Sequence, residues 1–140
     1  MSAQALAEIL GGTIAAGDPQ AMIVAGVATD SRCLERGAAF FALRGERFDG
    51  DQFAAAALQA GAAVAVVVRW QGGELPAGTA VIEVADPLRA LQKLACWWRR
   101  QLDLPVVAIT GSNGKTSTKD LTAAVLGRIH RVCATRGTLN

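Results

Sequence analysis

An α/β fold in two units is what three features of the sequence predict. Short runs of β-branched and apolar residues alternate with stretches of helical spacing. Residues 62–68 form an unbroken apolar run, of the kind found in strands buried on both faces. A second such run, residues 105–110, leads directly into a glycine-bearing loop and another helical pattern.

Each element has a local reason. Ser2 is placed to cap a short helix with Leu6, Ile9 and Leu10 on one face, and Gly11-Gly12 would end it. Residues 23–29 are rich in β-branched and small residues and read as a strand, closed by the polar triplet Asp30-Ser31-Arg32. Residues 39–43 read as a second strand, followed by the polar loop Arg44-Gly45-Glu46-Arg47-Phe48-Asp49-Gly50. Phe53, Ala56, Ala57 and Ala60 follow helical spacing up to Gly61. After the run at 62–68, residues 71–78 read as a loop and 80–84 as a strand. Asp86-Pro87 has the form of a helix start, with a capping carboxylate before proline. Leu88, Leu91, Ala95, Trp98 and Leu102 then form one stripe, which favours a core position for at least one of Trp97 and Trp98. Beyond the run at 105–110, Leu121, Ala124, Val125 and Ile129 mark an amphipathic helix, and 131–135 reads as a final strand.

The character changes near Asp103, so the expected units are 1–103 and 104–140. Only about 37 residues follow that boundary, below the ~40 that sustain an independent core. The second unit therefore reads as the truncated start of a domain.

Composition excludes several classes. With 51% hydrophobic and 19% charged residues, the chain has ample material for a packed core and does not read as disordered. The 14 basic residues are scattered against 12 acidic ones, so no nucleic-acid footprint is present. No basic stretch precedes an apolar one at the N-terminus, and no run reaches the ~18–20 residues of a membrane span. A cytoplasmic protein without nucleic-acid or membrane partners is expected. Cys33, Cys96 and Cys133 are widely spaced and odd in number, which predicts buried or partly buried thiols in a reducing compartment. His130 is the sole histidine, too few ligands for zinc, and it has no acid–base partner in the sequence.

The clearest chemistry lies in Gly111-Ser112-Asn113-Gly114-Lys115-Thr116-Ser117. Gly111 and Gly114 allow a tight turn that points successive backbone N–H groups inward at phosphate oxygens. The helix that follows presents its positive end to the same place. Lys115 is positioned to reach β- and γ-phosphates, and the Thr116 hydroxyl to ligate Mg²⁺. The pattern is the shorter G-x-x-G-K-T form, since Ile109 stands where the longer phosphate-loop pattern has glycine. No G-x-G-x-x-G dinucleotide fingerprint is present.

The segment Ile109-Thr110 through Ser117 resembles the ATP loop of the Mur ligases, a family of ATP-dependent amide-bond-forming enzymes. Asp30-Ser31-Arg32, Gly37, Phe40-Phe41-Ala42-Leu43 and Gly45-Glu46-Arg47-Phe48-Asp49-Gly50 resemble the UDP-sugar-binding domain of the later ligases, and Gly61-Ala62 fits the same pattern. Within the family, Ala42 to Asp49, then Ser112 to Ser117 with Lys119-Asp120 after it, are most similar to the member that adds D-Ala-D-Ala. The diaminopimelate- or lysine-adding member usually carries a run of threonines after its lysine. Gly137-Thr138-Leu139-Asn140 resembles the start of the family's Gly-Asn-x-Asn-Asn segment, with Thr138 where asparagine is common. Asp51 stands where the family often has histidine.

The resemblance implies a substrate domain over 1–103 and the start of a central ATP-binding domain over 104–140. It implies a reaction in which ATP phosphorylates the terminal carboxylate of UDP-MurNAc-tripeptide and the amine of D-Ala-D-Ala displaces phosphate, in peptidoglycan precursor synthesis. ATP and Mg²⁺ are the implied cofactors, Lys115 the implied catalytic cation, and a monomer the expected full-length state. Ser31, Arg32, Arg44, Gly45 and Arg47 are implied contacts to the UDP-sugar. They read equally as turn-forming and solvated polar residues. The fragment alone is expected to be inactive in ligation. Three other readings stand beside it: a non-catalytic UDP-sugar-binding module, the related diaminopimelate- or lysine-adding ligase, and an unrelated phosphate-loop NTPase.

Overall fold

The computed structural model describes residues 1–45 and 49–135. It divides into two compact units, the first Met1–Leu102 and the second beginning at Asp103.

The first unit is built on one sheet. In chain order its strands are β1 (Thr13–Gly17), β2 (Val27–Ala28), β3 (Ala39–Phe41), β4 (Val64–Val67) and β5 (Ala80–Glu83). Their order across the sheet is β1-β5-β4-β3-β2. The β2–β3, β3–β4 and β4–β5 pairs are parallel, and β1 joins β5 antiparallel with a register shift between Ile14 and Ala16.

Side chains of β4 alternate between two apolar layers, as the two-residue period of a strand requires. Val64 and Val66 pack with Phe41 and Ile82 against Leu6, Ala7 and Leu10 of helix α1 (Ala3–Leu10). Ala65 and Val67 pack with Phe40 and Val81 against Ala54, Ala57 and Leu58 of helix α2 (Ala54–Gln59). Both faces of the central strands are thus covered, which explains why residues 62–68 are continuously apolar.

Helix α1 begins and ends where its sequence dictates. The Ser2 side chain accepts from Ala5 N–H, and Gly11 closes the helix in the left-handed conformation at φ 69°. Helix α3 (Pro87–Gln101) starts at Asp86, whose carboxylate accepts from Leu88 N–H and Arg89 N–H.

Several expectations are corrected. The strand expected over 23–29 is reduced to Val27–Ala28, because the preceding residues bond Gly37 and Met1 irregularly rather than in a ladder. Residues 50–53 form a 3-10 turn, so Phe53 precedes helix α2 rather than belonging to it. β1 had no counterpart in the sequence reading. Residues 105–110 and 131–135 are not strands, for neither has a ladder partner among the described residues. The face that α3 turns inward carries Pro87, Ala90, Leu91 and Leu94, rotated from the expected stripe, so Leu88 is exposed and Trp98 is 57% exposed. Trp97 is half-buried, and neither tryptophan is in the core. All three cysteines are exposed rather than buried, because they lie on a turn, on the outer side of α3 and in the second unit. Among the described residues no helix is long and apolar enough to cross a membrane.

In the second unit, helix α4 (Lys115–Leu126) follows the glycine loop directly.

Candidate functional site

The phosphate-loop candidate is built from the turn into α4. Gly114 is the N-cap residue, with φ 76° and ψ 2°, a conformation that disfavours any side chain. Having no side chain, it leaves the helix start uncapped. The first N–H groups of an α-helix have no partner within the helix, so those of Lys115, Thr116 and Ser117 remain available to an external acceptor. No acidic residue occupies the first turn, where it would compete with an anion for the positive helix end. Gly111, Ser112, Asn113, Thr116 and Ser117 are exposed. The Lys115 Nζ donates to the Gly111 carbonyl at 2.7 Å, so the ammonium lies across the loop. Lys119 is engaged elsewhere, donating to Thr135 O at 2.9 Å and pairing with Asp120 at 3.2 Å.

The donor set suits a triphosphate with magnesium. The loop offers amides, one ammonium and one neutral hydroxyl. Among the described residues no group of three histidine, cysteine or carboxylate side chains gathers to hold a metal by itself. Magnesium takes few protein ligands and keeps phosphate and water oxygens. Thr116 Oγ1 is the oxygen of this loop that could serve as one protein ligand.

The second candidate lies in the first unit. In open sheets with parallel strands, ligands bind beyond the carboxyl ends of the strands. Here β2 runs out into Asp30, Ser31 and Arg32, β3 into Arg44 and Gly45, and β4 into Val68 and Arg69. The topology thus places Ser31, Arg32, Arg44 and Gly45 at ends of adjacent strands. Arg47, together with Glu46 and Phe48, lies outside the described residues, as does the 137–140 segment.

Carboxylates hold two of these arginines. Asp30 caps the 3-10 turn Ser31–Cys33 and accepts from Arg32 N–H at 3.0 Å. The Arg32 guanidinium folds back onto the same carboxylate, with Nη2 at 2.7 Å, although its side chain is 86% exposed. These Arg32 hydrogen bonds lower the Asp30 pKa from 3.8 to about 2, and Asp30 in turn raises that of Arg32. Arg44 is bound twice, by Nε to Asp49 and by Nη2 to Asp51, each at 3.2 Å.

Sequence reasoning missed Asp51 and Arg69. The Asp51 side chain is 1% exposed and accepts from the amides of Val68 and Arg69. Local sequence could suggest only an acidic residue after Asp49-Gly50. Its burial arises from segments far apart in the chain.

Comparison with known proteins places both candidates in one context. Residues 23–99 match the model of the Mur ligase family, catalytic domain, and residues 109–140 that of the Mur ligase middle domain. The UDP-N-acetylmuramoyl-tripeptide–D-alanyl-D-alanine ligase of Bacillus subtilis is 44% identical over 96% of this chain and 29% of its own length. A crystal structure of MurF from Acinetobacter baumannii superposes with a TM-score of 0.85 at 38% identity, over 99% of this chain and 30% of that one. The MurF ligase of Thermotoga maritima in complex with ADP gives 0.75 at 30% identity, over 84% of this chain and 27% of that one. The chain therefore spans under a third of the length of these proteins. With more than half of its residues matched by one family model, and the glycine loop falling in the adjoining match, the chain belongs to the Mur ligase family.

Proposed function

We propose that this chain is the substrate-binding and phosphate-loop portion of a cytoplasmic ligase that adds D-Ala-D-Ala to UDP-MurNAc-tripeptide in peptidoglycan precursor synthesis. The observation that carries the reading is the uncapped glycine N-terminus of α4, with the Lys115 ammonium lying over it. The named relatives select which phosphate-dependent reaction the loop serves.

The chemistry suits such a loop. A carboxylate is a poor acceptor for an amine. Transfer of the γ-phosphoryl group of ATP to its oxygen creates an acyl phosphate and releases ADP. Attack by the amine of D-Ala-D-Ala on the acyl carbon breaks the bond to phosphate, and the new amide nitrogen loses a proton. The protein's share is positioning and charge neutralisation. Amides from Gly111 to Ser117 cradle phosphate oxygens, and Lys115 offsets their charge. Thr116 would offer its hydroxyl to Mg²⁺, which when bound would supply further neutralisation of phosphate charge. Ser31, Arg32, Arg44 and Gly45 form the edge that receives the UDP-sugar, with guanidinium groups suited to diphosphate oxygens; Arg47, outside the described residues, joins this set from the sequence alone.

The test is phosphate release by a full-length ligase carrying this sequence, given ATP, Mg²⁺ and UDP-MurNAc-tripeptide. Release that depends on added D-Ala-D-Ala is expected. ATP hydrolysis indifferent to both peptide substrates would defeat the proposal. In calorimetry, the 140-residue chain is expected to bind UDP-MurNAc-tripeptide while supporting no ligation.

A further inference from the structure

Asp51 is the one charged residue of the described first unit that is buried. Burying a carboxylate is costly unless hydrogen bonds and an opposite charge compensate it. Here the compensation comes from three directions. Asp51 Oδ1 accepts from Val68 N–H at 3.0 Å, and Oδ2 from Arg69 N–H at 3.2 Å, both just beyond the end of β4. Oδ2 also receives Arg44 Nη2 at 3.2 Å, from beyond the end of β3.

The approach to Asp51 is itself fixed. Its own N–H donates to Asp49 Oδ1 at 3.2 Å, the oxygen that also receives Arg44 Nε. Gly50 sits so close to the backbone of Ala42 and Leu43 that a Cβ there would collide with it. The segment is therefore seated against the residues that follow β3 by backbone contact and against those that follow β4 by a carboxylate.

A guanidinium has five N–H donors in a rigid plane. Asp49 and Asp51 take one from Nε and one from Nη2. Among the described residues no partner is seen for the other three donors, on a group whose side chain is 53% exposed. An arginine anchored along one edge presents the rest of its fork in a fixed direction, with less rotamer freedom to lose when an anion binds.

We infer that Asp51 is a positioning residue: by joining the ends of β3 and β4 it aims Arg44 at the anionic part of the UDP-linked substrate. It touches no substrate and acts through Arg44. The inference rests on the proposed function and adds to it a residue that orients the substrate edge.

The experiment measures steady-state kinetics of the full-length ligase with Asp51→Asn, Arg44→Gln and the double variant. Asparagine keeps one acceptor for the β4 amides and removes the charge that holds Arg44. Asp51→Asn is expected to raise KM for UDP-MurNAc-tripeptide about tenfold, with KM for ATP and kcat little changed. Arg44→Gln should raise the same KM similarly. In the Arg44→Gln background, Asp51→Asn should add less than about twofold, since its effect passes through Arg44. Asp51→Glu should recover part of the loss.

An unchanged KM in Asp51→Asn, or full additivity in the double variant, would overturn the inference even if melting temperature fell. Should Asp51→Asn fail to fold, Arg44→Gln decides alone, and an unchanged KM for the UDP-linked substrate overturns it. A wild-type enzyme with no D-Ala-D-Ala-dependent turnover would defeat the proposed function itself; turnover with indifferent variants defeats only the role of Asp51.

Discussion

Lys115 and Gly111 close the glycine loop on itself, the ammonium donating to the glycine carbonyl at 2.7 Å. The same bond keeps the positive charge beside the amides at the start of α4. Replacing Lys115 with alanine in a full-length ligase should leave the glycine turn intact and remove that charge. Turnover in a phosphate-release assay is expected to fall by about 10²–10³-fold, the size of loss that follows removal of one preorganised donor from a developing negative charge. A rate within about twofold of wild type would rule out the assigned role.

The Asp30–Arg32 pair should be visible by titration. The folded pKa of Asp30 is depressed, from 3.8 to about 2, by the Arg32 hydrogen bonds. A depressed acid stabilises the fold above its unfolded pKa and loses that contribution as pH falls through the folded value. The window here therefore runs from 3.8 down to about 2. Carboxyl NMR should give a midpoint near the lower value in wild type, returning toward the upper one in Arg32→Gln. High salt should weaken the shift, because the pair is exposed. A wild-type midpoint insensitive to Arg32→Gln would contradict the geometry.

Gly17 ends β1 at φ 87°, paired with Ala80, and a Cβ there would strike the Thr79 carbonyl oxygen. Asp18 N–H donates to that same oxygen at 2.8 Å, so it cannot readily move away. Gly17→Ala should destabilise the first unit by at least about 2 kcal/mol in urea unfolding. Gly72 has φ 88° but open space around it. Gly72→Ala should therefore show only the conformational part, about 1 kcal/mol. Equal losses in the two variants would refute the steric component.

Lys93 links two helices. Its Nζ donates to the Leu10 carbonyl at 3.1 Å, bonding an otherwise unpaired group at the end of α1. Lys93→Met keeps the aliphatic stem and deletes the donor, so stability should drop by about 1 kcal/mol. No change in the urea midpoint would show that water replaces the ammonium without loss.

Local chemistry made much of this architecture readable. Ser2 with Gly11, and Asp86 with Pro87, marked α1 and the start of α3 because caps act within a few residues. The apolar run around β4 announced burial on both faces, and the glycine loop was contiguous in sequence. What depended on distant partners was hidden. β1 reads weakly as Thr-Ile-Ala-Ala-Gly and exists through its pairing with β5. The inward face of α3 was set by what it packs against, with Leu91 and Leu94 turned toward the core and Leu88 away. Asp51 had no role in the sequence reading, and only the fold brings it to amides 17 and 18 residues onward.

The two borders of the sheet carry a further consequence. β2 offers two residues of ladder, and β1 breaks step between Ile14 and Ala16 before ending at glycine. A neighbouring molecule meeting either border finds no long row of evenly spaced amides and carbonyls onto which to add a strand. In a chain whose residues are 51% hydrophobic, such frayed margins are a safeguard against runaway self-association.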